Sequence, residues 1–319
     1  MIVESRGSPE LPSQDSRRPF PFHRKTRACV LASILMPAFN AGGTIVKAIA
    51  SVVAQTMEEW ELLVIADDET DYASIVRKHG LNDKRIRFTK TPFVRSGVSS
   101  ALNLGGQLAS GLVVTRLDAD DWYEPERLAT LVPLAIRHGA AGDNVIAFDE
   151  SKKIQVGPWL QPSRSIIGLD SFNLMISPIP FLLVFRQDVL PKWDEDLSFA
   201  EDVIFNARAF EHLTEVPIVA ECLWRYRIHS GSLSYSVAFS DRADSVYAKL
   251  IEECESDRPR FCRPELQRIF RQALAYKRSL NRAFCSAHGR DHTLSFQEFV
   301  LERQGHRCDV EQNIRRGSA

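Results

Sequence analysis

The chain has almost no net charge. It carries 40 Lys and Arg against 41 Asp and Glu, a formal charge of −1 over 319 residues. Proteins that bind nucleic acid or anionic lipid over a broad surface usually carry an excess of basic residues. The balance therefore excludes a global attractive field for either partner and predicts no nucleic-acid partner, although it does not exclude a local basic patch.

Paired cysteines and long apolar segments are also missing. The six cysteines form no CxxC pair and show no zinc-like spacing with histidine. Their scatter, together with an N-terminal sequence that has no basic and apolar signal segment, predicts reduced thiols in a cytoplasmic protein. The longest apolar runs are strand-sized, far short of the roughly 20 residues that a membrane helix needs.

Hydrophobic residues make up 44% of the chain and charged residues 25%, which are ordinary values for a globular protein. Residues 1–30 are rich in Pro, Ser and Arg and are predicted to be a disordered lead-in. Residues 31–238 are predicted to form the main domain. The sequence pattern changes after that point, and residues 239–319 are predicted to be a helical C-terminal extension.

Short apolar strands alternate with amphipathic helices from residue 32 to about residue 140. This alternation predicts an α/β fold with a mostly parallel central sheet and helices on both faces. All strands are expected to point the same way, so that their carboxyl ends meet at one edge. The predicted strands are 32–37, 60–66, 85–89, 111–115, 144–148, 181–185 and 217–222.

The acidic segment Asp118-Ala119-Asp120-Asp121 follows one of these strands directly. Clustered carboxylates repel one another unless a cation joins them, and hard oxygen ligands suit Mg²⁺ or Mn²⁺. Those ions usually share their coordination shell with phosphates. The segment therefore indicates a metal–diphosphate site, and the alternative is an acidic loop that caps the next helix.

Two other segments have charged residues at positions that suggest a role: an acidic pair at a helix start and a basic helix face near the C-terminus. Glu201 and Asp202 stand at a predicted helix start, where the helix dipole alone could favour them. A helix after Pro264 has an apolar stripe and a basic face, which predicts either a solvated face or contact with a membrane surface or partner. The basic residues are Arg268, Arg271, Lys277, Arg278 and Arg282.

Residues 33 to about 235 resemble the family 2 glycosyltransferases, which have the GT-A fold. The resemblance depends on the order and spacing of short motifs, each of them weak alone. The motifs are ILMPAFN at 34–40, the helix end at 51–56, the acidic run at 61–71, GVSSALN at 97–103, DADD at 118–121 and AED at 200–202. The resemblance implies an enzyme that transfers a sugar from a nucleoside diphosphate, UDP in many members, and inverts its anomeric centre.

The resemblance also implies roles for single residues. Asp120 and Asp121 would bind a divalent metal, Mn²⁺ or Mg²⁺. Asp202 would be the general base, with Glu201 beside it or on the acceptor. The nucleotide would be held by Pro37, Ala38, Phe39, Asp67, Asp68, Arg95, Asn103, Asp118, Ala119 and Asp120.

Some of these assignments keep alternatives open. Many family members have Asp-Asp-Gly-Ser where this chain has Asp-Asp-Glu-Thr at 67–70, so either Asp67 or Asp68 could read the base. A mobile loop at 224–234 could bring Arg227 or His229 to the diphosphate. The segment 152–180 is predicted to form the acceptor side, with Trp159 and Phe172 as contacts or as core residues.

The acceptor is expected to be a carbohydrate or a glycolipid. The QxxRW signature of processive members is absent from the 224–234 stretch, which favours single transfer. A catalytically degenerate module of the same fold is the second hypothesis. A nucleotidyltransferase is the third, and no GxxxxGK phosphate loop supports it.

Overall fold

The computed structural model describes residues 30–162, 164–177, 181–197, 199–229, 237–255, 260–289 and 296–304. Apart from Val30, the predicted disordered lead-in lies outside the described residues. The end of the predicted C-terminal extension, from residue 305, lies outside them as well.

The first half of the chain alternates strands and helices as predicted. The sheet order in this half is β3-β2-β1-β4, and all three pairs of neighbouring strands are parallel. The elements are β1 (Ala32–Ala38), α1 (Ile45–Val53), β2 (Trp60–Ala66), α2 (Tyr72–Lys78), β3 (Ile86–Lys90), α3 (Val98–Leu108) and β4 (Val113–Arg116).

The second half continues the same sheet in the order β9-β6-β10-β5 after β4. Two short strands and a short helix occupy the segment 152–180, in which the sequence showed little periodicity. The elements are β5 (Trp122–Tyr123), α4 (Arg127–His138), β6 (Ala140–Asp149), β7 (Ile154–Val156), β8 (Ile166–Asp170), α5 (Ser171–Met175), β9 (Val184–Arg186), α6 (Glu201–Ala209) and β10 (Glu215–Ile228).

Strand direction is where the sequence-based expectation is wrong. β9 runs antiparallel to both of its neighbours, β4 and β6, so not every strand points the same way. β10 is also longer than the predicted strand 217–222, and residues 224–228 lie in it rather than in a mobile loop. A buried apolar run looks the same in either direction, so hydrophobic pattern alone cannot give strand polarity.

Alternate side chains of the central strands pack into two core clusters, one on each face of the sheet. Ile34 and Met36 of β1 face the cluster that contains Ile45 and Ile49 of α1. Leu35 faces the other cluster, which contains residues of α3 and α6. This two-sided burial explains why β1 and β2 read as continuous apolar runs.

Three helices follow the sheet: α7 (Val237–Glu255), α8 (Pro264–His288) and α9 (Phe296–Gln304). They do not form a separate core, because α7 and α8 share the second cluster with α6. The shared residues include Ala243, Tyr247, Leu250, Phe270, Ala273 and Leu274. Within the described residues, no helix is both long and apolar enough to cross a membrane.

The predicted basic face of α8 needs one correction. Lys277 is buried, 7% exposed, and is not part of a solvated face. Arg278 and Arg282 both pair with Asp244 of α7, at 2.9 and 2.8 Å. Arg271 pairs with Glu255 at 2.8 Å. Much of the basic charge therefore ties α8 to α7, and spacing on one helix cannot reveal acids supplied by another.

Candidate active site

The acidic loop at 117–121 is fixed at both ends. The Leu117 amide donates to the Leu35 carbonyl of β1 at 2.9 Å, and the Leu117 side chain is buried. At the other end, the Asp121 carboxylate accepts from the Trp224 indole N–H at 2.9 Å and from the Arg227 amide at 2.8 Å. The loop is thus held between β1 and β10.

Those two bonds change the interpretation of Asp121. Its side chain is buried, and each carboxylate oxygen already accepts a hydrogen bond from β10. Burial first, and then the charges of Asp120 and Asp118, raise its pKa well above the ordinary value. The geometry makes Asp121 an anchor of the loop. Its role as a second metal ligand stays a prediction, and its burial leaves Asp120 as the more accessible of the two carboxylates.

Asp120 is the more available carboxylate. Its side chain is 37% exposed, and the His229 Nε2 atom lies 3.1 Å from its Oδ2 atom. No three His, Cys, Asp or Glu side chains in the described part of the chain form a preassembled metal cluster. Mg²⁺ and Mn²⁺ bound with phosphates commonly use only one or two carboxylates. The donors present therefore fit a metal shared with a diphosphate.

Arg116, at the end of β4, stands between the acidic loop and α6. Its guanidinium lies 3.2 Å from Asp118 and over the Trp193 ring, 5.2 Å from the ring centroid. Burial lowers the pKa of Arg116, but the charges of four nearby carboxylates, including Glu201 and Asp202, outweigh it and raise that pKa. No role for Arg116 was predicted, although an arginine entering an aspartate-rich loop was a usable signal.

Glu201 and Asp202 open α6 as predicted. The preceding Ala200 has a left-handed backbone, with φ of 60°, which a residue with a Cβ seldom adopts. The Asp202 carboxylate accepts from the Val203 amide at 2.8 Å and lines a cavity of about 20 Å³ together with Arg116. The carboxylate pair and the acidic loop are therefore in electrostatic contact through Arg116.

Replacing Glu201 by glutamine tests this electrostatic environment. Burial, and then the charge of Asp202, raise the pKa of Glu201 from 4.5 to about 7. A carboxyl whose folded pKa is raised contributes stability below its unfolded pKa and loses it as pH rises through the folded value. Relative to the native chain, Glu201→Gln should gain about 3 kcal/mol of unfolding free energy between pH 4 and pH 8. Denaturant unfolding at both pH values measures this, and an equal difference at both would contradict it.

Two residues of the predicted nucleotide pocket, Phe39 and Arg95, lie next to each other. Phe39 is 43% exposed, and the Arg95 guanidinium lies 5.6 Å from its ring centroid. Both emerge from unusual turns, since Asn40 and Arg95 have φ of 51° and 62°. Pro37 and Ala38 end β1 just below them.

Asp67 and Asp68 shape these turns. Asp67 is buried and accepts from the Thr91 hydroxyl and from the Ser96 and Gly97 amides, all within 2.9 Å. Asp68 accepts from the Asn40 amide at 2.7 Å, as well as from the Tyr72 hydroxyl and the Thr70 amide. Asp68 is partly exposed and lines a groove of about 580 Å³ at the carboxyl ends of β2 and β3. Its exposure leaves Asp68 the more accessible of the two.

Two predicted contacts are corrected by the structure. The Asn103 amide bonds to both the N–H and the C=O of Trp193 and to Glu195 at 2.7 Å, so it has no free donor for a base or ribose. Trp159 is 4% exposed and belongs to the core, so it cannot stack on an acceptor sugar. Phe172 is partly buried against the other cluster.

Arg227, predicted to reach the diphosphate from a loop, instead lies in β10. Its guanidinium pairs with Glu150 at 2.5 Å. His229 follows β10 and does lie beside Asp120. Residues 230–236, the rest of the predicted loop, lie outside the described residues.

Residues 33–193 match the family model described as glycosyl transferase family 2. An uncharacterized glycosyltransferase of Haemophilus influenzae is 34% identical over 224 residues, which cover 65% of this chain and 68% of that protein. The Escherichia coli enzyme UDP-Glc:alpha-D-GlcNAc-diphosphoundecaprenol beta-1,3-glucosyltransferase WfgD is 33% identical over 108 residues, 34% of this chain and 42% of WfgD. Among solved structures, S. aureus TarS 1-349 in complex with UDP-GlcNAc has a TM-score of 0.58 at 18% identity, covering 79% of this chain and 74% of that one.

The chain therefore belongs to glycosyl transferase family 2. The predicted class of enzyme, a glycosyltransferase, and the predicted GT-A type of α/β fold are both confirmed. At 18% identity, the likeness to TarS shows the fold alone. This chain spans less than half the length of WfgD, whose donor and acceptor are properties of that protein.

Proposed function

We propose that this chain transfers a sugar, with inversion, from a UDP-sugar to a hydroxyl group of a carbohydrate or glycolipid acceptor. The observation that carries the proposal is the meeting of two carboxylate groups around Arg116: the acidic loop with Asp120, and the Glu201–Asp202 pair. A module that only bound nucleotide would need the first group but not the second. A UDP donor is favoured because WfgD is named for UDP-Glc and TarS was solved with UDP-GlcNAc.

The nucleotide is placed at the carboxyl ends of β1 to β4. Phe39 and Arg95, which lie next to each other, offer an apolar face and a cation. Asp68 lines the groove at the carboxyl ends of β2 and β3 and is partly exposed, whereas Asp67 is buried. Its exposure favours Asp68 over Asp67 as the aspartate that accepts a ring N–H of the base.

Asp120 would hold the divalent metal, with His229 beside it, and Asp118 would contact the ribose. When bound, Mn²⁺ or Mg²⁺ would neutralise the diphosphate as the bond to the sugar breaks. Asp121 keeps the loop in place through its bonds to β10. Arg116 offsets the negative charge between the two carboxylate groups, so that both can lie in one cleft.

Asp202 acts as the general base. It takes the proton of the acceptor hydroxyl while that oxygen attacks the anomeric carbon from the side opposite the diphosphate. Burial and the charge of Asp202 raise the pKa of Glu201 to about 7, so that Glu201 is protonated below that pH. A protonated Glu201 can donate a hydrogen bond to the acceptor.

Contact of the C-terminal helix α8 with a membrane surface is a further part of the proposal, now limited to Arg268. Arg268 is exposed on α8, whereas Lys277 is buried and the other three arginines are paired with acids. Binding to vesicles containing anionic lipid, compared between the native chain and Arg268→Ala, tests this contact. Equal binding of the two proteins would exclude a role for Arg268.

Turnover of UDP-glucose and UDP-GlcNAc with Mn²⁺ tests the main proposal. Release of UDP, without formation of UTP and sugar 1-phosphate from added pyrophosphate, is the expected result. Pyrophosphate exchange would point to a nucleotidyltransferase. Nucleotide binding without turnover of any nucleotide sugar would favour the catalytically degenerate module.

A further inference from the structure

Arg116 is the last residue of β4, and its side chain is only 13% exposed. Its Nη2 atom donates to the Asp118 Oδ2 atom at 3.2 Å. Its Nε atom is buried and has no acceptor among the described residues. A buried arginine frequently makes two parallel bonds to one carboxylate, and this one does not. The pair with Asp118 therefore does not explain by itself how the guanidinium is held.

An aromatic stack supports the guanidinium. The Arg116 Cζ atom lies over the Trp193 ring, 5.2 Å from the ring centroid. The Trp193 ring is stacked on Phe205 of α6, with centroids 3.7 Å apart and ring planes 9° from parallel. Phe205 packs edge-to-face on Phe185 of β9 at 5.2 Å. All three rings are buried, so the position of Trp193 restricts the position of the guanidinium.

Hydrogen bonds from α3 fix the backbone of Trp193. The Asn103 side chain accepts from the Trp193 N–H at 2.9 Å and donates to the Trp193 carbonyl at 3.1 Å. Asn103 also donates to the Glu195 carboxylate at 2.7 Å, and the Ser100 hydroxyl donates to the same carboxylate at 2.8 Å. Two side chains of one helix thus hold Trp193 and, through its ring, Arg116.

Asp118 receives the guanidinium on one of its two oxygens. In the described part of the chain no other side chain binds this carboxylate, and its Oδ1 atom accepts no hydrogen bond. The backbone around it is fixed, because the Leu117 amide donates to the Leu35 carbonyl and the Asp121 amide donates to the Asp118 carbonyl at 3.1 Å. The side-chain torsions of Asp118 are what remains to be fixed, and Arg116 restricts them.

We propose that Arg116 is a positioning residue for Asp118, and that its guanidinium holds the carboxylate in the orientation that accepts a ribose hydroxyl of the UDP donor. The inference rests on the proposed function, in which Asp118 contacts the ribose. A side chain that is already oriented loses no rotamer freedom on binding, which is worth about threefold to tenfold in affinity. The gain applies only to nucleotides that carry the hydroxyl.

A purely electrostatic role for Arg116 predicts a different result. A cation near the diphosphate attracts every uridine nucleotide alike, whether or not its ribose carries both hydroxyls. Loss of the cation would lower all these affinities by one factor. Loss of a positioning residue lowers the affinity for UDP more than the affinity for the analogue without the hydroxyl. The ratio of the two dissociation constants therefore separates the two roles.

Calorimetric titration of UDP, 2′-deoxy-UDP and 3′-deoxy-UDP in Mn²⁺ measures this ratio. The native chain should bind one of the analogues about tenfold or more weakly than UDP, the usual effect of losing a hydrogen bond to a charged group. Asp118→Ala should remove that preference. Arg116→Met should lower the ratio by about threefold to tenfold. The double variant Arg116→Met/Asp118→Ala should show the same ratio as Asp118→Ala, because the two residues act as a unit.

Arg186→Met is the matched control. Arg186 ends β9, which lies next to β4, and it pairs with Asp188 two residues later at 2.5 Å, the same spacing as Arg116 and Asp118. It is opposite Val113, at the other end of β4 from Arg116. Arg186→Met should bind all three nucleotides as the native chain does. Arg116→Lys keeps the charge but not the planar guanidinium, and it should lower the ratio by about threefold.

A native ratio in Arg116→Met, with the ratio lost in Asp118→Ala, would overturn the inference and leave the proposed function standing. A native chain that binds UDP and both analogues equally would overturn it as well. If Arg116→Met does not fold, Arg116→Lys decides on the same ratio. Failure of the proposed function looks different, because the native chain then binds none of the three nucleotides and turns over no nucleotide sugar.

Discussion

Replacing Asp202 by asparagine is expected to lower turnover of the nucleotide sugar by about 10²- to 10⁴-fold, the usual contribution of a general base. The asparagine has nearly the same shape but cannot accept the acceptor proton. Affinity for UDP should stay within about twofold, because in the proposed mechanism Asp202 acts on the acceptor and the acidic loop binds the donor. Steady-state kinetics and calorimetric titration of UDP measure the two effects separately.

Asp196→Asn is the matched control, since Asp196 is an exposed carboxylate a few residues before α6. It should leave both kcat and UDP affinity unchanged. If Asp202→Asn retained native turnover, Asp202 could not be the base. Glu201→Gln should then be assayed for the larger loss.

The largest expected effect on stability comes from Arg127. This residue is fully buried, and its guanidinium pairs with Asp143 at 2.9 Å and donates to the Leu182 carbonyl at 2.5 Å. Asp143 in turn accepts from the Leu223 amide at 3.0 Å. Arg127→Met should lower the free energy of unfolding by about 3–5 kcal/mol, because it leaves the Asp143 carboxylate buried and unpaired. Denaturant unfolding measures the loss.

A control variant and a double variant show whether the unpaired Asp143 carboxylate causes that loss of stability. Arg137→Met removes an exposed arginine of the same helix and should change stability by less than about 0.5 kcal/mol. The double variant Arg127→Met/Asp143→Leu should recover most of the loss, since an apolar pair often replaces a buried ion pair without cost. If the double variant were no more stable than Arg127→Met, the unpaired charge would not be the cause.

The sequence predicted the first half of the fold closely because β1, β2 and β4 are buried on both faces and the helices are amphipathic. β2 was predicted at its observed bounds, Trp60–Ala66, and α2 to within one residue. The second half was harder because its strands depend on partners far away in the chain. β5 has two residues and pairs with Trp224 and Arg225 of β10, so no local pattern could reveal it.

The residues of the candidate site were predicted from the sequence, but the sequence did not show which of them are accessible to a ligand. The three acidic clusters were found because carboxylates at strand and helix ends are conspicuous. Which of them is free depends on hydrogen bonds from distant residues. Asp121 receives its donors from Trp224 and Arg227, and Asn103 is occupied by Trp193. Such long-range contacts leave no trace in local periodicity.

The C-terminal helices illustrate the same limit. Spacing along α8 predicted that Lys277 and Arg278 share a basic face. In the structure Lys277 is buried, whereas Arg278 pairs with Asp244. The segment next to Lys277 is contributed by residues about a hundred positions earlier in the chain. The predicted C-terminal extension therefore contributes α7 and α8 to the same core cluster as α6.

The central claim, that the acidic loop is a metal-dependent UDP site, is tested most directly by calorimetric titration of UDP and GDP. The titrations use the native chain, Asp120→Ala, and the control Glu126→Ala, which removes an exposed carboxylate just after the loop. We predict that UDP binds in Mn²⁺, that EDTA abolishes binding, and that Asp120→Ala loses it while Glu126→Ala does not. Binding of UDP that is equally tight in EDTA and in Asp120→Ala would contradict the account.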